Sequence, residues 1–304
     1  MALGVVGAGA LARPINSLIS YHYFRDSNIA AMKSWGLCMI GDSGAFSAFS
    51  AGKVIDPDDF YAWADRWQDS LYWTASLDVI GDIEASWRNW RDSPQHLRLV
   101  PTVHFGADPR VIDRYVEGGA DLIGLGGMVP YKMSPKRLLR WCLSVMVYAR
   151  KTHPHVRFHG WGVNNPDVSA MLPWWSVDSS KYSMVYRYGQ LLLFDPEQRK
   201  KRAVYMNGRD SAEVYRLLAT YYGVNWKDIL RSHKDNRPLL VHVAIRATQY
   251  LQADLQQRHH VTAPPSLAGV MSQVPSVHVA LSKNAVADLS GMSTTAFNIA
   301  KESA

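Results

Sequence analysis

The stretch Ile40-Gly-Asp-Ser-Gly-Ala-Phe-Ser-Ala-Phe49 sets a carboxylate directly after a short apolar run and follows it with small residues. One explanation is a turn, since Asp, Ser and Gly all favour turns. The other is a catalytic carboxylate at the open end of a parallel barrel, where the chemistry gathers at strand C-termini. The segments on either side decide between them. From Asp56 to Pro173 one unit recurs: a short apolar run, a small-residue loop, then a capped helix.

The helix starts are legible. Asp56-Pro57, Asp108-Pro109, Ser134-Pro135 and Asn165-Pro166 each set an N-cap residue before proline at the first helical position. Phe60, Trp63, Ala64 and Trp67 then recur at helical spacing, as do Val111, Ile112, Tyr115 and Val116. Leu138, Leu139, Cys142, Val145, Met146 and Ala149 form a third stripe. Between the helices lie the expected strands Cys38–Ile40, Trp73–Leu77, Leu99–Val103, Leu122–Leu125, Val156–Gly160 and Trp175–Val177. Val5–Gly7 is expected to precede them and Gln190–Phe194 to follow. Short apolar strands separated by helices make a parallel sheet covered on both faces. Eight of them in about 195 residues predict an α/β fold of the (β/α)8, TIM-like barrel type. The catalytic barrel is placed at 1–195, with a basic, mainly helical extension at 196–304. In that extension Ser211–Tyr222 and Leu239–Arg258 show helical periodicity, and the tail from Ser272 reads as polar and loosely ordered.

Composition narrows the function. With 304 residues and 47% apolar side chains the chain buries a large core. Two cysteines, Cys38 and Cys142, exclude a disulfide framework or a cysteine-rich zinc site and suit a reducing, cytoplasmic setting. No run reaches the roughly 20 apolar residues of a membrane span. The small, apolar start lacks the basic region of a signal peptide. The net charge of +7 points to a polyanionic partner. Residues 187–237 hold eleven Lys/Arg against six Asp/Glu, and Arg199, Lys200, Lys201 and Arg202 are its densest part, the candidate contact to phosphates.

At the ends of the expected strands stand Asp42, Asp78, His104, Gly126-Gly127, Gly160-Trp-Gly162 and Asp178-Ser-Ser180. In a parallel barrel these converge on one face. Gly41-Asp-Ser-Gly-Ala-Phe46, which includes Ser43, resembles the Asp-Ser-Gly-Gly-Phe loop of the tRNA-guanine transglycosylases. Ile123-Gly-Leu-Gly-Gly-Met128 is similar to their base-binding glycine loop, and His159-Gly-Trp-Gly162 to their next glycine strand. Ser176-Val-Asp-Ser179 stands where that family has its nucleophilic aspartate. The same set resembles the short transglycosylase-like proteins of bacteriophages, among them enzymes that insert 7-deazaguanines into DNA. The resemblance spans residues 37 to 194.

The resemblance implies a base exchange by double displacement, with Asp178 as the nucleophile that forms a glycosyl-enzyme intermediate. Asp42 suits the proton transfer to and from the base. Asp78 suits the N1–H and N2–H₂ donors of guanine, and His104, near the family's glutamine, suits O6. Backbone N–H groups at Gly126, Gly127 and Met128, with Ser43 and Gly160 beside them, would complete the pocket, and Phe46 or Trp161 would stack on the base. No metal or organic cofactor is expected. The family's cysteine–histidine zinc site is missing, which removes the basis for tRNA docking and favours DNA as the polymer. The incoming base is expected to be a preQ0-like 7-deazaguanine. The alternatives are the same exchange on tRNA and a catalytically inactive nucleic-acid-binding barrel. A third is a nucleotide-dependent oxidoreductase using Gly7-Ala-Gly-Ala-Leu-Ala12, whose helix Arg13-Pro14 would interrupt. The alternation of His153, His155 and His159 would align metal ligands, but His159 lies in the glycine motif and the other two read as exposed.

Overall fold

Proline-led helices punctuate the chain as the sequence predicts. The computed structural model describes residues 15–24, 29–34, 37–127, 135–163, 166–180, 189–205, 212–230, 237–259 and 276–280. Asp56 caps the helix Pro57–Trp67 by accepting from the N–H groups of Asp58 at 2.9 Å and Asp59 at 3.3 Å. Helices Pro135–Thr152 and Pro166–Met171 also begin on their prolines. After Asp108-Pro109 the helix starts later, at Val111, because Asp108 folds back onto the backbone N–H and guanidinium of Arg110. The apolar stripes face inward: Phe60, Ile112, Tyr115, Cys142 and Val145 are fully buried.

The protein is mixed α/β with parallel strands. Strands β1 (Ile15–Ser20), β2 (Leu37–Asp42) and β3 (Leu71–Thr74) form one parallel group in the order β3-β2-β1. Strands β4 (Thr102–His104), β5 (Leu122–Gly126), β6 (Arg157–Gly160) and β7 (Ser176–Ser179) form a second. All but β1, which the sequence did not mark as a strand, match expected strands to within a few residues. Two expectations need correction. The expected eighth strand lies in β8 (Gln190–Asp195), which pairs antiparallel with β9 (Lys200–Tyr205) in a separate hairpin. The strand between the two parallel groups is β10 (Ser276–Ala280), parallel to both β1 and β7. Part of the segment read as loose tail is therefore a strand. Its Ser-Val-His-Val-Ala sequence has the β-branched alternation that suits one. Val5–Gly7 and most of the tail from Ser272 lie outside the described residues. At the far ends of the order, Ala75 and Val100 form one parallel bridge, with Ser76 N–H donating to Val100 O and Val100 N–H to Thr74 O, both at 2.8 Å.

Asp178 of β7 and Asp42 of β2 both stand at or near strand C-termini, so the parallel arrangement puts the marked acids on one side of the sheet. Apolar packing crosses the expected boundary at residue 195. The long helix Arg237–Arg258 sends Leu240, Val243, Ala247, Leu251 and Leu255 into the cluster around β4–β7. Its Val241, Ala244 and Ile245 enter the cluster around β1–β3. A helix buried on two sides needs apolar residues around most of its circumference, which this sequence has.

Candidate active site

Asp42 ends β2, where its carboxylate accepts from the Gly44 N–H and the Ser20 hydroxyl lies near without a hydrogen bond. Gly44 starts the next helix with φ 76°, and a Cβ there would lie 2.4 Å from Ser20 Oγ and 2.5 Å from His22 Cβ. Only glycine fits both the backbone conformation and the space, so the Asp-Ser-Gly order of the motif has a local cause. Desolvation pushes the Asp42 carboxyl up to about 7, with the neighbouring charges of Asp78 and Asp178 adding to it against the hydrogen bond from Gly44. The three acids, distant in sequence, therefore share one electrostatic environment.

Ser43 is fully buried; its hydroxyl accepts from Ala45 N–H and donates to Asp78 Oδ1 at 3.4 Å. The other oxygen of Asp78 meets His104 Nε2 at 2.9 Å. The two side chains expected to face different edges of one base are thus bonded to each other. Asp178 is held by the Gly162 N–H, which donates to Oδ1 at 2.6 Å; His159 Nε2 lies 3.4 Å from the same oxygen, close enough for an electrostatic contact but not aligned as a hydrogen bond. Among the described residues Oδ2 has no donor. The glycine of Gly160-Trp-Gly162 that matters most for the acid is therefore Gly162, through its backbone.

Trp161 fills the notch over the glycine strand. Its Nε1 donates to Thr102 Oγ1 at 3.0 Å, and a Cβ on Gly124 would fall 2.1 Å from that nitrogen. Gly126 is similarly closed off by Thr102 and the Trp161 ring. These glycines make room for a side chain of the protein itself. Trp73, His159 and Trp161 then form one edge-to-face cluster, with centroids 4.3 to 5.7 Å apart. Gly127 follows β5 beside His104, Gly160 ends β6 against Val163 and Trp174, and Phe46 is exposed on the helix Ala45–Ser50. Met128 lies outside the described residues.

The candidate phosphate contacts are partly engaged within the chain. Arg199 pairs with the buried Asp254, and Arg202 with Asp195 and Glu213, while Lys200 is exposed and Lys201 half-buried on β9. His153 bonds Asp113 at 2.7 Å, and among the described residues no cluster of three or more His, Cys, Asp or Glu side chains is placed to hold a metal ion. The Gly7–Ala12 motif lies outside the described residues, and no helix among them is long and apolar enough to cross a membrane.

The sequence marks His159 only through the histidine alternation and the glycine motif, and Ser176 only as a neighbour of Asp178. A signal was available: each stands two positions from a marked residue, Trp161 or Asp178, and period-two spacing puts such pairs on one face of a strand. The site as a whole is a carboxylate cluster at the C-terminal side of a parallel α/β sheet, with one acid held protonated to near neutrality. No protein-family description matches the chain, and neither a curated protein nor a solved structure matches it.

Proposed function

We propose that this protein is a nucleic-acid guanine transglycosylase, replacing guanine by a 7-deazaguanine base on DNA, and that its parallel strands close as a (β/α)8 barrel around the site. The observation that carries the reading is Asp42, raised to about 7 by desolvation and then by the charges of Asp78 and Asp178, so that acids from three strand ends act on one another. A carboxyl that titrates near neutrality serves as acid in one half-reaction and base in the other. Closure of the barrel is supported by the parallel bridge between Ala75 and Val100 at the two ends of the strand order.

In the first half-reaction Asp178 Oδ2 attacks C1′ of the target nucleotide and a C–O bond forms. The C1′–N9 bond breaks with its electron pair leaving on guanine, and the proton of Asp42 passes to the departing base. In the second, the incoming base gives its ring N–H proton to the Asp42 carboxylate and its nitrogen attacks C1′. The bond to Asp178 breaks with the pair returning to that carboxylate. Protons and electrons balance over the cycle without a cofactor. The Gly162 N–H holds Oδ1, with His159 Nε2 3.4 Å from it, and Oδ2 is the oxygen assigned to the attack. Asp78, with Ser43 and His104 attached, offers an acceptor face to the guanine donors. In duplex DNA the nucleotide must leave the stack to reach these groups.

The test offers labelled guanine and labelled 7-deazaguanines to duplex DNA, single-stranded DNA and tRNA, followed by digestion to nucleosides. Label in DNA is expected. Label confined to tRNA overturns the choice of polymer, and label in none of them overturns the enzymatic reading. Asp178→Asn is expected to abolish exchange and the trapped covalent adduct while keeping nucleic-acid affinity within about twofold.

A further inference from the structure

Beneath Asp178 lies a second layer of polar groups that the base exchange itself does not touch. Ser176 Oγ is 2.6 Å from His159 Nδ1, and His159 Nε2 is 3.4 Å from Asp178 Oδ1. Serine, histidine and aspartate in a row have the composition of a hydrolase triad, but the exposures run the wrong way. Ser176 is 1% exposed and His159 is not exposed at all, whereas Asp178, at 7%, is the least buried of the three. The hydroxyl is closed off from solvent, and of the three side chains the carboxylate keeps the most surface. The row therefore acts on the aspartate and not on the serine.

We propose that Ser176 and His159 are positioning residues for Asp178: the Ser176 hydroxyl donates to Nδ1, so that the imidazole keeps its proton on Nε2 and presents that N–H to Oδ1. This rests on the transglycosylase reading for its kinetic consequence but not for its structural content. A neutral imidazole has one donor and one acceptor nitrogen, and which is which follows from the bond the other nitrogen makes. Burial lowers the affinity of His159 for a second proton, against the pull of Asp178, which agrees with a neutral ring. Neutrality has a chemical use. An imidazolium beside Asp178 would bind its negative charge tightly and blunt its attack on C1′. A neutral N–H orients Oδ1 while leaving Oδ2 nucleophilic, and it steadies the carboxylate that returns when the ester breaks. Trp73 and Trp161 pack edge-on against the ring at 4.9 and 4.3 Å and fix its plane, so the N–H has one direction to point.

Two measurements on the full chain test this. Nitrogen-15 NMR of labelled histidine, with His159 assigned from the spectrum of His159→Gln, is expected to show the neutral Nε2–H form in the unaltered protein. In Ser176→Ala that form should give way to a mixture of tautomers. A wild-type imidazolium, a wild-type Nδ1–H tautomer, or a tautomer unmoved by Ser176→Ala overturns the proposal. These outcomes are readable whether or not the protein exchanges bases, so they separate this inference from the function on which its kinetics rest. In the exchange assay Ser176→Ala is expected to lower kcat about tenfold, the rate equivalent of one lost hydrogen bond, with KM within twofold. His159→Gln, which keeps an N–H within reach of Asp178, should retain more activity than His159→Phe. Equal loss in those two variants at equal thermal stability overturns the positioning role.

Discussion

Asp42 holds its proton to about pH 7 because its half-buried carboxyl is desolvated beside Asp78 and Asp178. The pH consequences follow from the sign of that shift. The folded chain binds this proton more tightly than the unfolded chain, whose carboxyl titrates near its ordinary 3.8. Its contribution to stability is therefore fully present below about pH 4 and is lost as pH rises through 7. Asp42→Asn removes the charge that must be buried above that point. We expect the variant to gain on the order of 2 kcal/mol over the parent protein at pH 8, after discounting for partial solvation, and little at pH 4. Denaturant unfolding at the two pH values measures this. The same titration predicts that kcat/KM for nucleic acid declines above about pH 7, where the acid needed for the first half-reaction is lost. A pH–rate profile that stays flat from 6 to 9 would contradict the assignment of Asp42 as that acid.

At the scale of elements, β5 and β6 explain each other. Gly124 and Gly126 alternate on β5, and Trp161, one residue past β6, lies across them and donates to Thr102. Gly124→Ala forces a methyl group into the indole, which has nowhere to move without giving up that bond. A destabilisation of about 1–3 kcal/mol is expected, together with a shifted indole N–H resonance for Trp161. An unshifted indole signal would mean that the notch is roomier than the geometry indicates. These elements also show how far local signals reach. The strand cores, the Pro-led helices and the acids at strand ends are legible because period, cap and proline act over a few residues. The role of the glycines was not, because nothing near Gly124 in sequence announces that Trp161 will cover it. For the same reason Arg199 and Arg202 read as a basic run, although their partners Asp254 and Glu213 engage both.

At the scale of the whole molecule, the C-terminal region completes the sheet. β10 stands between β1 and β7, and the helix Arg237–Arg258 is shared by the two hydrophobic clusters. Deleting residues 260–304 leaves β1 and β7 without this neighbour, next to Ser20 and Asp178 of the site. The truncated chain is expected to melt roughly 10 °C lower or more, or to lose cooperative unfolding, and to lose base exchange with it. A shortened protein with an unchanged Tm would show that β10 contributes little to the fold.

The sequence alone determined the α/β class, most of the parallel strands and the acids at their ends. Each depends on hydrophobic period or on a residue's own conformational preference. Tertiary structure decided which segment lies between β1 and β7, which cations are already neutralised, and that His159 and Ser176 stand behind Asp178. Those are pairings between residues far apart in the chain, selected by what the folded core leaves adjacent, and a local pattern carries no record of them.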